Sequence, residues 1–444
     1  MAAITPEKTE ILALNAFGEA ATTGLPGDVA ALVERRRRAF GAGSVLFYEE
    51  PLHLVRGEGA FLHASDGRAY LDFYNNVPTV GHCHPRVVEA VRRQVGALNI
   101  HSRYLFDVAH DYAEALLASF PPALSNLVLA CTGSEANDVA LRIARTATGA
   151  RGVIVTETAY HGNTAAVTEV SPSSYRRGAP PPFIRTVPAP DPAVYGEEVG
   201  AGFAAAVAAA AAALAAEGHG VAALLVDTIF SSDGVYADPP GFLAGAVAQV
   251  RAQGGLFIAD EVQPGFGRTG AGLWGFSRHG LVPDIVTLGK PMGNGYPIAG
   301  VVTRPALLAA LYEEFGYFNT FAASPVATAA ALAVLQAIEE DGLVANAAAV
   351  GAHLKARLAA LPAPVAAVRG AGLYLGVELR VEGEPAPGHA RHAINALKER
   401  GLLIGAAGRH GNVLKIRPPL CVRQDHADRL ADALGAVLAG RGGI

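Results

Sequence analysis

From Leu127 onward the chain repeats one pattern: a short run apolar on both faces, a polar or glycine-containing break, then a longer stretch of helical spacing. The short runs are Leu127–Ala130, Gly152–Val155, Val221–Val226, Gly255–Ala259, Asp284–Leu288 and Ile298–Val302. They are aliphatic or β-branched and show no in–out alternation, which predicts strands covered on both sides by helices. Strands alternating with helices predict an α/β unit with a mainly parallel central sheet. From Pro325 the pattern changes to a smaller α+β unit. It has Ala/Leu-rich helices over Ala327–Glu339 and Ala348–Ala360, strands over Gly372–Leu379 and around Lys415 and Ile416, and a closing helix from Asp425. The expected organisation is an N-terminal arm and part of a small domain over 1–75, a large domain over 76–324, and the remaining small domain over 325–444. Phe203–Ala216 is almost wholly alanine and could pass for a membrane span. It is shorter than the ~20 residues a span needs, and alanine is the best helix former, so it predicts a packed helix.

Composition narrows the function classes. A chain of 444 residues exceeds one ordinary core. With 51% hydrophobic and 17% charged residues it can offset the entropy of ordering, which excludes a disordered chain. A net charge of −5 gives no general attraction to nucleic acid or to an anionic membrane. Three cysteines, Cys83, Cys131 and Cys421, do not make a disulfide scaffold and fit a reducing, cytoplasmic setting. Met1–Glu10 carries Glu7, Lys8 and Glu10 without an apolar core, unlike a signal peptide. The basic run Arg35–Arg38 reads as a solvated helix face or as a subunit or substrate contact.

In open α/β sheets ligands bind beyond the carboxyl ends of the strands, so the residues there carry the functional reading. Cys131-Thr132-Gly133-Ser134 runs into a helix, and reads either as a plain cap or as a phosphate cradle of free N–H groups and hydroxyls. Tyr160-His161-Gly162 offers an aromatic that either covers a flat ring or fills the core. Asp260-Glu261-Val262-Gln263 puts two carboxylates after a buried strand. Asp260 needs a partner when buried. A pyridinium N–H is one; a cap or a loop salt bridge is the alternative. Of five lysines, Lys290 alone follows a buried strand in a Gly/Pro-rich turn, where desolvation can make it an amine nucleophile. A P-loop is excluded, because Asp284 stands where the spaced glycine should be and Pro291 replaces the Ser or Thr. Gly370-Ala371-Gly372 does not complete a dinucleotide fingerprint, since Leu375 stands at the third glycine, and reads as a turn. A phosphate cradle, a ring-covering aromatic, an acid for a ring nitrogen and a Schiff-base lysine together are what pyridoxal 5′-phosphate requires.

Over Val45–Leu438 the sequence resembles the class III aminotransferases of the fold type I group. The resemblance rests on Tyr70-Leu71-Asp72 with Gly81-His82-Cys83-His84-Pro85, on Gly133–Asn137, and on Tyr160-His161-Gly162. Asp260–Gln263, Leu288-Gly289-Lys290, Phe318–Phe321 and Arg417-Pro418-Pro419-Leu420 complete it. It implies that Lys290 forms the Schiff base and moves the Cα proton, and that Asp260 pairs with the ring nitrogen. Val262 and Tyr160 would cover the two ring faces, and Gln263 would lie near the ring oxygen. Thr132, Gly133 and Ser134 would hold the phosphate, with His161 and Asp227 among the cofactor contacts. Thr320 would reach the phosphate of a neighbouring subunit, which implies a homodimer with shared sites, with a tetramer as a further assembly. The match sets aside a metal reading of His82, Cys83 and His84, so no metal is expected. The chain departs from the family at Asp227, where Glu is frequent, and at Ala322-Ala323-Ser324-Pro325.

A narrower resemblance, carried by Asn75-Asn76-Val77, Ser102-Arg103, Gly289–Pro297, Tyr317–Thr320 and Asn412–Ile416, is to the ethanolamine-phosphate phospho-lyases. It implies elimination of phosphate and ammonia from a small phosphorylated amine. The expected substrate-phosphate ligands are Arg103, because Arg binds phosphate bidentately, and Asn76. Arg417 and Lys415 are set lower, since they lie in a strand-like stretch. The rival readings are an ω-aminotransferase using pyruvate or 2-oxoglutarate and, more remotely, a nicotinamide-dependent oxidoreductase.

Overall fold

The structure, a computed structural model, describes residues 24–41 and 45–440. The segment Met1–Glu10 and most of the expected arm lie outside the described residues. Within them, Gly27–Phe40 is a helix that presents Arg35 and Arg38 to solvent.

The central sheet has seven strands in the order Asn126–Ala130, Ala299–Thr303, Ile285–Leu288, Leu256–Asp260, Val221–Asp227, Gly152–Thr156, Ile184–Val187. Ala299–Thr303 is antiparallel to both neighbours. The other ladders are parallel. Six of these strands are the expected ones, displaced at their ends by a residue or two. The seventh, Ile184–Val187, was not anticipated. Its middle residues, Arg185 and Thr186, are polar, because an edge strand needs cover on only part of its surface.

Alternation along each interior strand builds two cores, one on each face. Val153, Val155, Ala223, Leu225 and Ile258 pack with Val139, Ala140 and Ile143 of the helix Gly133–Thr148. Ile154, Leu224, Val226, Phe257 and Ala259 pack with Phe203, Val207 and Leu214 of Val199–Ala216 and with Leu243 and Val247 of Leu243–Ala252. Val199–Ala216 starts four residues earlier than expected and has the length and apolarity of a membrane span. Its stripe Val199, Phe203, Val207, Ala210, Ala211, Leu214 is buried against this sheet.

Two smaller sheets flank this unit. Leu54–Glu58, Phe61–Ala64 and Ala69–Asp72 form an antiparallel meander. Leu402–Leu403 joins it in parallel, so chain from both ends of the sequence shares one sheet. The other contains Val365–Ala371, Tyr374–Val381, Val413–Ile416 and Gly405–Ala407. The expected strand Gly372–Leu379 is thus the second arm of a hairpin. Gly372 turns it at φ +53°, where a Cβ would stand 2.4 Å from the Thr269 carbonyl carbon, so only glycine fits.

Candidate active site

Thr132, Gly133, Ser134, Tyr160, His161, Asp227, Asp260, Val262, Gln263 and Lys290, all expected site residues, line one cavity of about 310 Å³ at the strand ends. The helix Gly133–Thr148 opens onto it. Thr132 is its N-cap: the hydroxyl oxygen accepts from Glu135 N (3.1 Å), and Glu135 accepts from Cys131 N (2.7 Å) and Thr132 N (3.1 Å). Such a cap stabilises a helix by about 1 kcal/mol. The cap and cradle readings therefore coexist, because the N–H groups of Gly133 and Ser134 are left outside the capping box. The glycines around this cradle are closely packed. A Cβ on Gly133 would lie 3.0 Å from Val262 Cγ2, one on Gly289 would lie 3.2 Å from Gly133 Cα, and one on Gly162 would lie 2.5 Å from Ser134 Oγ.

Asp260 ends the strand Leu256–Asp260 and is almost fully buried. Its Oδ2 accepts from His161 Nδ1 (2.7 Å) and Asn137 Nδ2 (3.0 Å), and its Oδ1 from Val262 N (3.0 Å). Burial opposes ionisation, yet the hydrogen bond and charge of His161, then the other two donors, hold the carboxyl below its usual range. Asp227 stands beside it on the next strand. Burial pushes its pKa up, and its carboxylate accepts from Ile229 N and Ser231 N, so it caps its own loop. His161 is a buttress of Asp260, and among the described residues its buried Nε2 has no partner. Asn137, to which sequence reasoning gave no role, also donates to His161 O (2.7 Å). Its signal was an amide in an otherwise apolar helix face, Ala136, Val139, Ala140.

Lys290 follows the strand Ile285–Leu288. Burial and then the positive charge of Arg417 lower its pKa from 10.5 to about 8, against the pull of Asp260 and Asp227. Arg417, set low from the sequence, is buried: its Nη1 donates to Asn76 Oδ1 (2.9 Å) and Gln263 Oε1 (2.7 Å), and its guanidinium lies 4.7 Å from the Tyr74 ring centroid. Asn76 Nδ2 donates to the same Gln263 oxygen (2.7 Å). Lys415 is buried two positions earlier, and burial, then Arg417, lowers its pKa to about 7. It pairs across the sheet with Gly376 and Gly405. A Cβ on Gly405 would strike the Tyr74 ring at 2.1 Å, so Tyr74 fills the space above that glycine.

Three expected residues do not line this cavity: Asn76, held against Gln263 and Arg417, and two others. Arg103 is exposed, its guanidinium 3.8 Å from the Phe318 ring centroid, and does not line it. Thr320 is exposed and lines an adjoining cavity with Ile100, His101 and Phe321. Cys131, Tyr296 and Pro297 are common to both cavities. His82 and His84 bond Asp72 and Asp341. Among the described residues no group of His, Cys, Asp or Glu is arranged to hold a metal.

The donor set fits pyridoxal phosphate: an ionised buried carboxylate, a desolvated amine, a glycine-walled helix start, and an aromatic and a valine on the cavity wall. The aminotransferase class-III family matches residues 47–438. The chain is 36% identical to an alanine–glyoxylate aminotransferase 2-like protein of Drosophila melanogaster, over 93% of this chain and 91% of that one. It is 35% identical to ethanolamine-phosphate phospho-lyase homolog 1 of Caenorhabditis elegans, over 92% and 93%. A solved phospholyase from Arthrobacter, in complex with phosphoethanolamine, superposes with TM-score 0.88 at 43% identity, over 92% of this chain and 99% of that one. The expected α/β fold, with its mainly parallel sheet, is the fold of these relatives, and the chain belongs to the class-III aminotransferase family, whose membership implies dependence on pyridoxal phosphate.

Proposed function

We propose that this protein is a pyridoxal-phosphate-dependent phospho-lyase. It would eliminate phosphate and ammonia from phosphoethanolamine or a related small amino-alcohol phosphate. The observation that carries this reading is the pair Arg417 and Lys415: a buried guanidinium and a buried amine, two positions apart, whose charges couple with each other and with Lys290. Among the described residues neither forms an ion pair, although burying unpaired charge is costly. A phosphate monoester is a dianion: one charge would pair with Arg417, and the other would favour the protonated form of Lys415. A carboxylate would supply one.

Asp260 would hold the protonated ring nitrogen, Gly133 and Ser134 the cofactor phosphate, and Val262 and Tyr160 the ring faces. The bound cofactor supplies an electron sink conjugated to the substrate nitrogen. Lys290, poised near neutrality, takes the proton from the amine-bearing carbon. Arg417 and Lys415 hold the phosphate as the C–O bond breaks, and stabilise the charge that gathers on the departing oxygen. Overall, phosphoethanolamine and one water give acetaldehyde, ammonia and inorganic phosphate. Arg103 is kept as a phosphate ligand only through a partner subunit, because in its own chain it is exposed against Phe318, whereas Arg417 bonds Gln263 of the cavity wall.

The second reading, amino-group transfer to a keto acid, is favoured by the aminotransferase names of relatives such as the Drosophila protein. The deciding experiment supplies phosphoethanolamine to the holoenzyme without a keto acid. Equimolar phosphate and ammonia support the lyase. No release, with amine transfer once pyruvate or 2-oxoglutarate is added, supports the aminotransferase. We also propose a homodimer in which Thr320 completes the partner's phosphate site.

A further inference from the structure

Between the strand Ala69–Asp72 and the helix Pro85–Val95, the stretch Phe73–His82 has no regular secondary structure, apart from one bridge at His82, yet it is gripped at both ends. Asp72 is fully buried and receives four hydrogen bonds, all from this stretch. Oδ1 accepts from Tyr74 N and Asn75 N (2.9 Å each), and Oδ2 accepts from Asn75 Nδ2 (3.0 Å) and His82 Nε2 (2.8 Å). The second grip comes from the turn that follows Lys290. Asn294 Oδ1 accepts from Val80 N (3.0 Å), and its Nδ2 donates to Gly81 O (2.8 Å). His82 also exchanges backbone hydrogen bonds with Gly59 (3.0 and 2.7 Å).

We propose that Asp72 and Asn294 are positioning residues, which clamp this stretch so that Tyr74 and Asn76 hold Arg417 ready for the substrate's anionic group. The inference rests on the reading of Arg417 given above. Tyr74 and Asn76 are the residues of the stretch that touch Arg417 through their side chains, one by its ring and one by its amide. Asn76 must both donate to Gln263 and accept from Arg417, which only one orientation of its amide satisfies. Asp72 fixes the backbone on either side of Tyr74, one residue before Asn76. Asn294 ties the far end to the turn carrying Lys290. The clamp therefore sets the distance between the cation that receives the anion and the amine that takes the proton. A displacement of about 1 Å in such a pair is enough to lower turnover or affinity severely.

The test uses the holoenzyme and its Asp72→Asn, Asn294→Gly, His82→Ala and His82→Gln variants. Glycine suits position 294, where φ is +50°, so the side chain is removed without backbone strain. KM and kcat are read separately. Inorganic phosphate binding is read from the visible absorbance of the bound cofactor. We expect Asp72→Asn, Asn294→Gly and His82→Ala to raise KM about tenfold and to weaken inorganic phosphate by a similar factor, the scale of one lost charged hydrogen bond, with kcat changed less than about threefold. His82→Gln should recover most of the His82→Ala loss, because its amide can donate to Asp72. An unchanged KM in folded, cofactor-loaded Asn294→Gly, or equal losses in His82→Ala and His82→Gln, overturns the proposal. If the wild type releases no phosphate, the lyase reading falls instead. The same KM comparison is then made on the keto acid of the transfer reaction, whose carboxylate would meet the same Arg417.

Discussion

In the cofactor-free protein a far larger fraction of Lys290 than of an ordinary lysine should be neutral amine near pH 7.5. Burial is the larger cause and the charge of Arg417 the next, and together they lower its pKa from 10.5 to about 8. At pH 7.5 an amine of pKa 10.5 is deprotonated to about one part in a thousand, whereas one of pKa 8 is deprotonated to about a quarter. The reactive fraction thus rises on the order of two-hundred-fold. The assay mixes cofactor-free protein with pyridoxal phosphate between pH 6 and 11, traps the adduct with borohydride, and follows the Lys290 peptide by mass spectrometry. Its rate should rise with pH to a half-point near 8. Arg417→Met should move that half-point upward, by less than burial moves it downward, since the arginine is the smaller cause. A wild-type half-point near 10.5, or no movement in Arg417→Met, would refute the reasoning.

Further outcomes are expected. Lys415 keeps its proton only to about pH 7 when folded, whereas an unfolded lysine keeps it to about 10.5; its destabilising effect is therefore full below pH 7 and is relieved as pH rises toward 10.5. Lys415→Met should raise the thermal midpoint at pH 6 by a few degrees while raising KM for phosphoethanolamine; a lower midpoint there would contradict the buried-cation argument. Gly133→Ala places a methyl 3.0 Å from Val262 Cγ2 and should weaken cofactor binding about tenfold, measured by absorbance titration. Asn137→Leu removes a donor from Asp260 and should cost about 1–3 kcal/mol in urea unfolding. Mixing Lys290→Ala subunits with Thr320→Ala subunits should restore activity through the one intact site of each mixed dimer; no restoration would remove Thr320 from the partner's site.

The buried strands of the central sheet were legible because burial on both faces writes an unbroken apolar run into the chain. Ile184–Val187 was not, because an edge strand needs no such run. The hairpin before Tyr374 was half legible: its glycines marked a turn, but the arm Val365–Ala371 is only partly buried and carries a weak signal. Asp260, Lys290 and the Gly133 cradle were legible for another reason. Each stands at or just past the end of a strand that the pattern reveals, and the sheet's geometry brings strand ends together whatever the loops do.

The cluster around Arg417 is of a different kind. Asn76 and Arg417 are 341 positions apart, and Gln263 and Arg417 are 154 apart. By itself the sequence determined the helix-covered sheet, the family and the place of Lys290 just past a strand end. Only the tertiary structure decided that Arg417 is buried against Asn76, Gln263 and Tyr74, while Arg103 lies in solvent against Phe318. Local sequence fixes which groups a residue carries. Whether a cation is buried beside a reacting amine depends on what packs over it, and here that cover comes from chain segments hundreds of residues away.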